Sequence, residues 1–363
     1  MTFIRYLIQL LKFSTLTLVV TLLNASSISA QTSPHFNWAH GFGPRTVAST
    51  KEMVLDGKGN MYIAGSFLDS ANFGLDDTTF VMKASQYEDI YLMKLTTEGK
   101  FIWAKQFSGP GSEFMGGIAL DKTGNILLTG GFSDTVDFDP GPGVKRLNGG
   151  FFDDIFVCKL TENGDFIWAI NMGNNSSGGC DGIGIVSDEF NNVYVTGNFY
   201  KTVDFNAGAG TNNLTSNGTQ DFFALKLDSQ GNHTWAHSFG GVSEDVARAI
   251  DYRNERVVVS GSFGRIVDFD PGAGVYNLEA RGDNKAIVLS LSDSGDFRWA
   301  SALGGSSYDL SAAVKIGSDD NVYSTGYYRS SLSDFDPDSN STHYLPYSGS
   351  SGFSNIFISK LDN

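Results

Sequence analysis

The sequence predicts an all-β chain: a single five-bladed β-propeller of four-stranded antiparallel blades. The ring is expected to close when an N-terminal strand completes the last blade, in a one-plus-three overlap. Three observations carry this. Trp-Ala recurs at Trp38, Trp103, Trp168, Trp235 and Trp299, at spacings of 65, 65, 67 and 64 residues, and these are all the tryptophans of the chain. Each repeat holds four short apolar runs separated by Gly/Asn/Asp turns, the signature of strands and hairpins. No stretch after the first 30 residues keeps a helical apolar period over ten residues.

The second repeat shows the elements in order. Gly116 to Asp121 reads as the first strand, and the Lys122-Thr123-Gly124 turn leads to the second, Asn125 to Phe132. A connection of about 20 residues follows, far longer than a hairpin needs. The third strand is Asp154 to Leu160, and a Glu162-Asn163-Gly164 turn opens the fourth, Asp165 to Ile170. First strands are rich in Gly and Ala (Gly116, Gly117, Gly184, Ala247, Ala249, Ala312, Ala313), which suits convergence on a narrow axis. Third strands, such as residues 89–95, 221–227 and 355–361, are apolar on both faces, so both faces need covering by neighbouring sheets. Fourth strands carry the Trp, with a ring two residues earlier on the same face (Phe101, Phe166, His233, Phe297). These tryptophans are expected to fill the wide outer gap between wedge-shaped blades rather than to cage a ligand.

The ends of the repeat region complete each other. Residues 35–42 (HFNWAHGF) read as a fourth strand without the first three, and residues 355–363 (NIFISKLDN) as a third strand without a fourth. Pairing the two removes an exposed sheet edge.

Residues 1–30 read as a signal peptide. Arg5 and Lys12 precede an apolar run, Phe13 to Leu23, and small residues end at Ala30. Eleven apolar residues are too short for a membrane span. The expected mature chain is residues 31–363, one propeller domain, secreted or at the cell surface, monomeric, with no transmembrane segment after cleavage. There are 25 Lys and Arg against 40 Asp and Glu, a formal charge of −15. That sign repels phosphate backbones and argues against nucleic-acid partners. The two cysteines, Cys158 and Cys180, are too few for a disulfide framework. Cys158 takes a place held by Met93, Leu225 and Leu289 in other repeats, that of a small buried residue, and a single bridge to Cys180 is the alternative.

The run GNxYVTGxF, then VDFDPGxG, then DxFVxKLDxxGxxxWA resembles the bacterial secreted β-propeller repeats, over nearly all of residues 36–363. The resemblance implies an extracellular scaffold with no activity common to the family. The family's name refers to seven blades, a number the five repeats here do not support.

Two sets of acids stand out. The connection between second and third strands repeats TVDFDPGPG (135–143), TVDFNAGAG (202–210), IVDFDPGAG (266–274) and LSDFDPDSN (332–340), with a degenerate SANFGLDDT at 70–78. Asp137, Asp139, Asp204, Asp268, Asp270, Asp334 and Asp336 read first as Asp-turn chemistry around a Phe plug. Their alternative role is to offer hard oxygens to calcium, the one cofactor the sequence suggests. The second set, Glu113, Glu244 and Asp309, aligns just before the first strands, where a partial acidic ring at the channel mouth would hold a cation or the hydroxyls of a sugar. The expected function is a non-catalytic exported scaffold that binds proteins or glycans. The rivals are a glycosidase-like hydrolase using the mouth acids and a calcium-stabilised structural module. No HExxH, GxSxG or phosphate-loop pattern occurs. Arg281-Gly282-Asp283 spells an adhesion tripeptide in an expected loop.

Overall fold

The computed structural model describes residues 36–44, 48–75, 78–173, 178–330, 332–338, 340–347 and 353–362. The signal-peptide segment, residues 1–30, lies outside the described residues. Residues 36–39 belong to a first unit, Met1–Ala39, and run without regular structure; the other described residues belong to the unit His40–Asn363.

That second unit repeats one sheet. Four antiparallel sheets have four strands each, taken in chain order across the sheet. The first comprises Ala48–Leu55, Asn60–Phe67, Asp89–Thr96 and Phe101–Phe107; the second, Glu113–Leu120, Ile126–Phe132, Asp154–Leu160 and Phe166–Met172. The third comprises Asp181–Ser187, Val193–Phe199, Asp221–Leu227 and His233–Phe239; the fourth, Val246–Arg253, Arg256–Asp268, Asn277–Ser292 and Phe297–Leu303. A fifth sheet has three strands, Leu310–Ile316, Val322–Tyr328 and Asn355–Leu361.

The two-faced apolar third strands of the first four sheets are covered as expected. Every residue of Asp154–Leu160 is buried. Phe156, Cys158 and Leu160 pack with Tyr62, Ile90 and Leu92 of the first sheet, while Ile155 and Val157 pack with Val193 and Phe223 of the third. Alternation thus sends successive side chains to opposite neighbours. Trp168 and Trp235 sit at these joints. Trp168 Nε1 donates to Ser229 O at 3.2 Å and Trp235 Nε1 to Asp293 O at 3.0 Å, each carbonyl belonging to a turn of the next sheet. Both indoles lie on glycines of those turns, Gly231 and Gly295, which hold positive φ of 84° and 89°. A Cβ there would meet the ring at 2.9 Å, so the repeated Gly serves both the turn and the indole.

First strands converge, and each carries a bulge. The register skips one residue between Thr50 and Glu52, Met115 and Gly117, Gly182 and Gly184, Ala247 and Ala249, and Ser311 and Ala313. The skipped residues are Lys51, Gly116, Ile183, Arg248 and Ala312. A Cβ on Gly116 would lie 1.8 Å from Gly182 O of the next sheet, so glycine is what allows that approach.

Two features depart from the sequence reading. The long connections contain small hairpins: Thr135–Asp137 pairs with Arg146–Asn148, Thr202–Asp204 with Asn213–Thr215, and Ser70–Asn72 with Val81–Lys83. Three-residue strands are too short to show a period. Second, the fifth sheet gains no fourth strand among the described residues: residues 36–42 carry no strand, and Gly43–Pro44 pairs instead with Ala71 and Asn72. One face of Asn355–Leu361 is accordingly bare, with Ile356 82 % and Ile358 81 % exposed.

Candidate functional site

Two of the three acids expected at the channel mouth, Glu113 and Asp309, are instead sealed between sheets. A repeated backbone bond fixes the equivalence: Glu113 N donates to Glu88 O, Cys180 N to Asp153 O, Asp245 N to Gln220 O and Asp309 N to Asn284 O. The member from the fourth sheet is therefore Asp245. Glu244, the residue the alignment selected, is exposed and one place out of phase. Glu113, Asp245 and Asp309 are fully buried, and none of them lines the channel. The accepted carbonyls immediately precede Asp89, Asp154 and Asp221, which open the previous sheets' third strands, and Lys285, which lies within Asn277–Ser292 opposite Phe263.

Two of these joints press carboxyl against carboxyl, Asp89 near Glu113 and Asp221 near Asp245. Burial, reinforced by Asp89, pushes Glu113 up to about 9. Burial raises Asp245 to about 7, against bonds from Gly241 N and Gly264 N at 2.8 Å. Asp154, Asp221 and Asp309 are each raised by burial to about 6. In the last joint Lys285 and Arg329 oppose that rise at Asp309.

The loop acids close their own turns. Asp137 Oδ1 accepts Asp139 N at 3.1 Å and Lys145 N at 2.8 Å; Asp139 Oδ1 accepts Gly141 N. Asp204 accepts Asn206 N and Asn212 N, and Asp268 accepts Asp270 N and Tyr276 N. Asp270 accepts Gly272 N, Asp334 accepts Asp336 N and His343 N, and Asp336 accepts Asp338 N. Asn72 makes the same pair of bonds in the first sheet, to Gly74 N and Phe80 N, without a charge. The intervening Phe is buried each time, as the plug reading requires: Phe138 contacts Phe132 and Phe156, and Phe205 contacts Phe199 and Phe223. Among the described residues no three His, Cys, Asp or Glu side chains converge in a way that would hold a metal.

Cys158 and Cys180 are both buried, and Cys180 Sγ donates to Asp153 O at 3.4 Å. Arg281-Gly282-Asp283 lies inside the strand Asn277–Ser292, not in a loop, and Arg281 pairs with Glu279 at 3.0 Å.

Among the described residues, two of the concave sites that face solvent stand out. The first is a channel of about 660 Å³ lined by first-strand residues of all five sheets. Its wall is mostly Gly, Ala, Val, Ile and Leu, but Lys51, Arg248 and Lys315 enter it. The sequence reading missed these cations. The available signal was a charged residue in the middle of an otherwise apolar or small-residue first strand. The second is a groove of about 810 Å³ between loops of the first and second sheets, flanked by Tyr87 and Phe151. Phe151 is 92 % exposed and meets Phe152 edge-on at 5.3 Å.

No protein-family model matches the chain. The chain is similar to an uncharacterized WD repeat-containing protein of Acanthamoeba polyphaga mimivirus, 23 % identical over 230 residues. That match covers 55 % of this chain and 16 % of the relative's length. No helix among the described residues is long and apolar enough to cross a membrane. Repeated four-stranded antiparallel sheets together with a WD-repeat relative make this a propeller-like repeat protein.

Proposed function

We propose that the chain is an exported, non-catalytic scaffold of the secreted β-propeller-repeat type, monomeric, which binds extracellular proteins or glycans through its loops. The observation that carries this reading is the loop groove between the first two sheets. Large aromatic rings held at a solvent-facing cleft are the usual anchors of recognition surfaces, and Tyr87 and Phe151 flank this one. Of the acids the hydrolase reading would use, Glu113 and Asp309 are buried and Glu244 is exposed, which favours the scaffold reading. The test is an array of extracellular proteins and glycans probed with residues 31–363, repeated with Phe151→Ala and Tyr87→Ala. Binding weakened by both variants supports the groove. Release of new reducing ends from the glycans would replace the scaffold with a hydrolase.

The fold proposed for this scaffold is a closed ring of five blades, with Phe36–Phe42 as the missing strand of the fifth sheet. Two arguments support it. The segment FNWAHGF has the Trp-Ala pattern of the four existing fourth strands. The fourth sheet also supplies a register, Leu291 opposite Phe297, Ser290 opposite Trp299 and Leu289 opposite Ala300. Transferred to the fifth sheet, it sets Leu361 opposite Phe36, Lys360 opposite Trp38 and Ser359 opposite Ala39. Cysteines placed at Ala39 and Ser359 should cross-link on mild oxidation, while a pair shifted by one residue should not.

A further inference from the structure

The geometry points to the channel as a binding site for a small organic anion with an apolar body, held by Lys51 and Arg248. The inference goes beyond the loop-binding reading and does not need it. Lys51 and Arg248 occupy the same structural position, the bulged residue of a first strand, in the first and fourth sheets. A bulge re-aims its side chain, and here both residues line one channel. Both are exposed, and neither is held in an ion pair or hydrogen bond among the described residues. Lys315, by contrast, is paired with Asp251 at 2.9 Å, and Glu52 accepts Ile118 N from the second sheet. The channel therefore carries two unpaired cations in a chain whose formal charge is −15.

The remaining wall sets the ligand's body. Val54, Leu55, Leu120, Ile183 and Val186 supply the accessible aliphatic surface, with Ile118, Ile185, Ile250 and Val314 buried behind it, and among the described residues no aromatic side chain lines the channel. A sugar ring lacks its customary stacking partner there, while an alkyl chain finds aliphatic side chains to contact. The volume, about 660 Å³, is that of ordinary small-molecule sites. Besides Glu52 in the lining, a second acid acts on the same place: Asp181, at the start of the third sheet's first strand, lies within the electrostatic reach of both Lys51 and Arg248. Neutralising it should strengthen an anion's hold.

The repeat supplies benign substitutions. At the bulge position the other sheets carry Gly116, Ile183 and Ala312, so Lys51→Ala and Arg248→Ala install a residue the position already accepts. The experiment is calorimetric titration of residues 31–363 with octanoate, octanol and octylammonium at low salt. Octanoate should bind at least about tenfold more tightly than either analogue, the difference one charged contact makes. Each single variant should weaken octanoate about tenfold and leave octanol unchanged, and Asp181→Asn should tighten it. Equal affinity for octanoate and octanol, or an unchanged octanoate affinity in the double variant with its melting temperature preserved, would overturn the assignment. Loss of array binding with octanoate binding intact would sink the loop-binding proposal alone.

Discussion

The joint between the second and third sheets and the bare flank of the fifth sheet are written in nearly the same residues. Asp154–Leu160 reads DIFVCKL and Asn355–Leu361 reads NIFISKL. In the first case Ile155 and Val157 are buried against the third sheet; in the second, Ile356 and Ile358 face outward. Lys159 Nζ reaches forward to Ser229 O of the next sheet and meets Asp121 at 2.8 Å, whereas Lys360 reaches Asp319 and Tyr323 of its own sheet. A propeller-like strand of this type therefore does not create its own environment. The neighbour's turn, the neighbour's glycine and the following Trp strand do so, and where they are missing an apolar face stays open. On the first sheet Met53 and Leu55 are likewise exposed, so the two ends of the sheet series present apolar surfaces of the kind the internal joints bury.

The sharpest way to break this comparison is to remove the strand proposed to cover the flank. A chain beginning at Gly43 loses Phe36, Trp38 and Phe42 and keeps Ile356 and Ile358 in water. Each large apolar side chain left exposed forfeits about 1.5–3 kcal/mol. The melting temperature should fall by about 10 °C relative to residues 31–363, and light scattering should show association through the free edge. An identical melt and mass would mean that the strand contributes nothing to closure.

Next in size is the contrast between two lysines. Lys159 and Asp121 are both buried, and although burial pushes Asp121 up, Lys159 and the bonds from Thr123 and Asn125 bring it down to about 2. Lys159→Met strands that carboxylate and should cost about 3–5 kcal/mol by chemical denaturation. Lys360→Met should lower the denaturation midpoint by a smaller, still measurable amount if closure brings Lys360 to the Thr97 carbonyl, the place equivalent to Ser229. A cost indistinguishable from zero would mean that the flank stays open in solution.

The internal joints also carry a pH signature of buried acids. Glu113 is held near 9 in the folded chain, while an unfolded Glu titrates near 4.5. Between those values the folded state binds the extra proton. Stability is fully present below about pH 4.5 and declines as pH rises toward 9. Glu113→Gln keeps the shape without the charge. It should flatten the fall in melting temperature between pH 5 and 8, raising the pH 8 value by several degrees. An unchanged pH profile would mean that Asp89 and Glu113 do not share a buried environment.

The sequence made the repeat, the strand positions and the Phe plugs legible because each recurs with a period that an apolar pattern reveals. In four of the five sheets the second and third strands fall within a residue of their expected bounds; in the fourth the second strand runs on to Asp268 and the third begins at Asn277, because the connection's hairpin continues the ladder. What escaped has a physical reason in each case. Glu244 and Asp245 are adjacent acids in loops of unequal length, and only the bond from Asp245 N to Gln220 O chooses between them. The same bond pattern places Glu113, Asp245 and Asp309 inside joints, and burial of an acid is invisible in a pattern that assigns charges to water. Lys51 and Arg248 were hidden by the bulge, which breaks the alternation that tells inward from outward. The three-residue hairpins are shorter than any detectable period.

The smallest effect tests what the repeated loop acids are for. Asp137 caps its loop through two backbone N–H groups, and Asn72 makes the equivalent bonds with an amide. If turn closure is the whole role, Asp137→Asn should change stability by less than about 0.5 kcal/mol, and Asp137→Ala should cost about 1 kcal/mol by losing the bonds. If the loop holds calcium, the order changes: both variants lose a charged oxygen ligand, both destabilise, and a chelator lowers the melting temperature of the unaltered chain but not of the variants. Thermal melts of the three proteins with calcium and with chelator separate the two roles, because an amide replaces a carboxylate as an acceptor of N–H but not as a charged ligand.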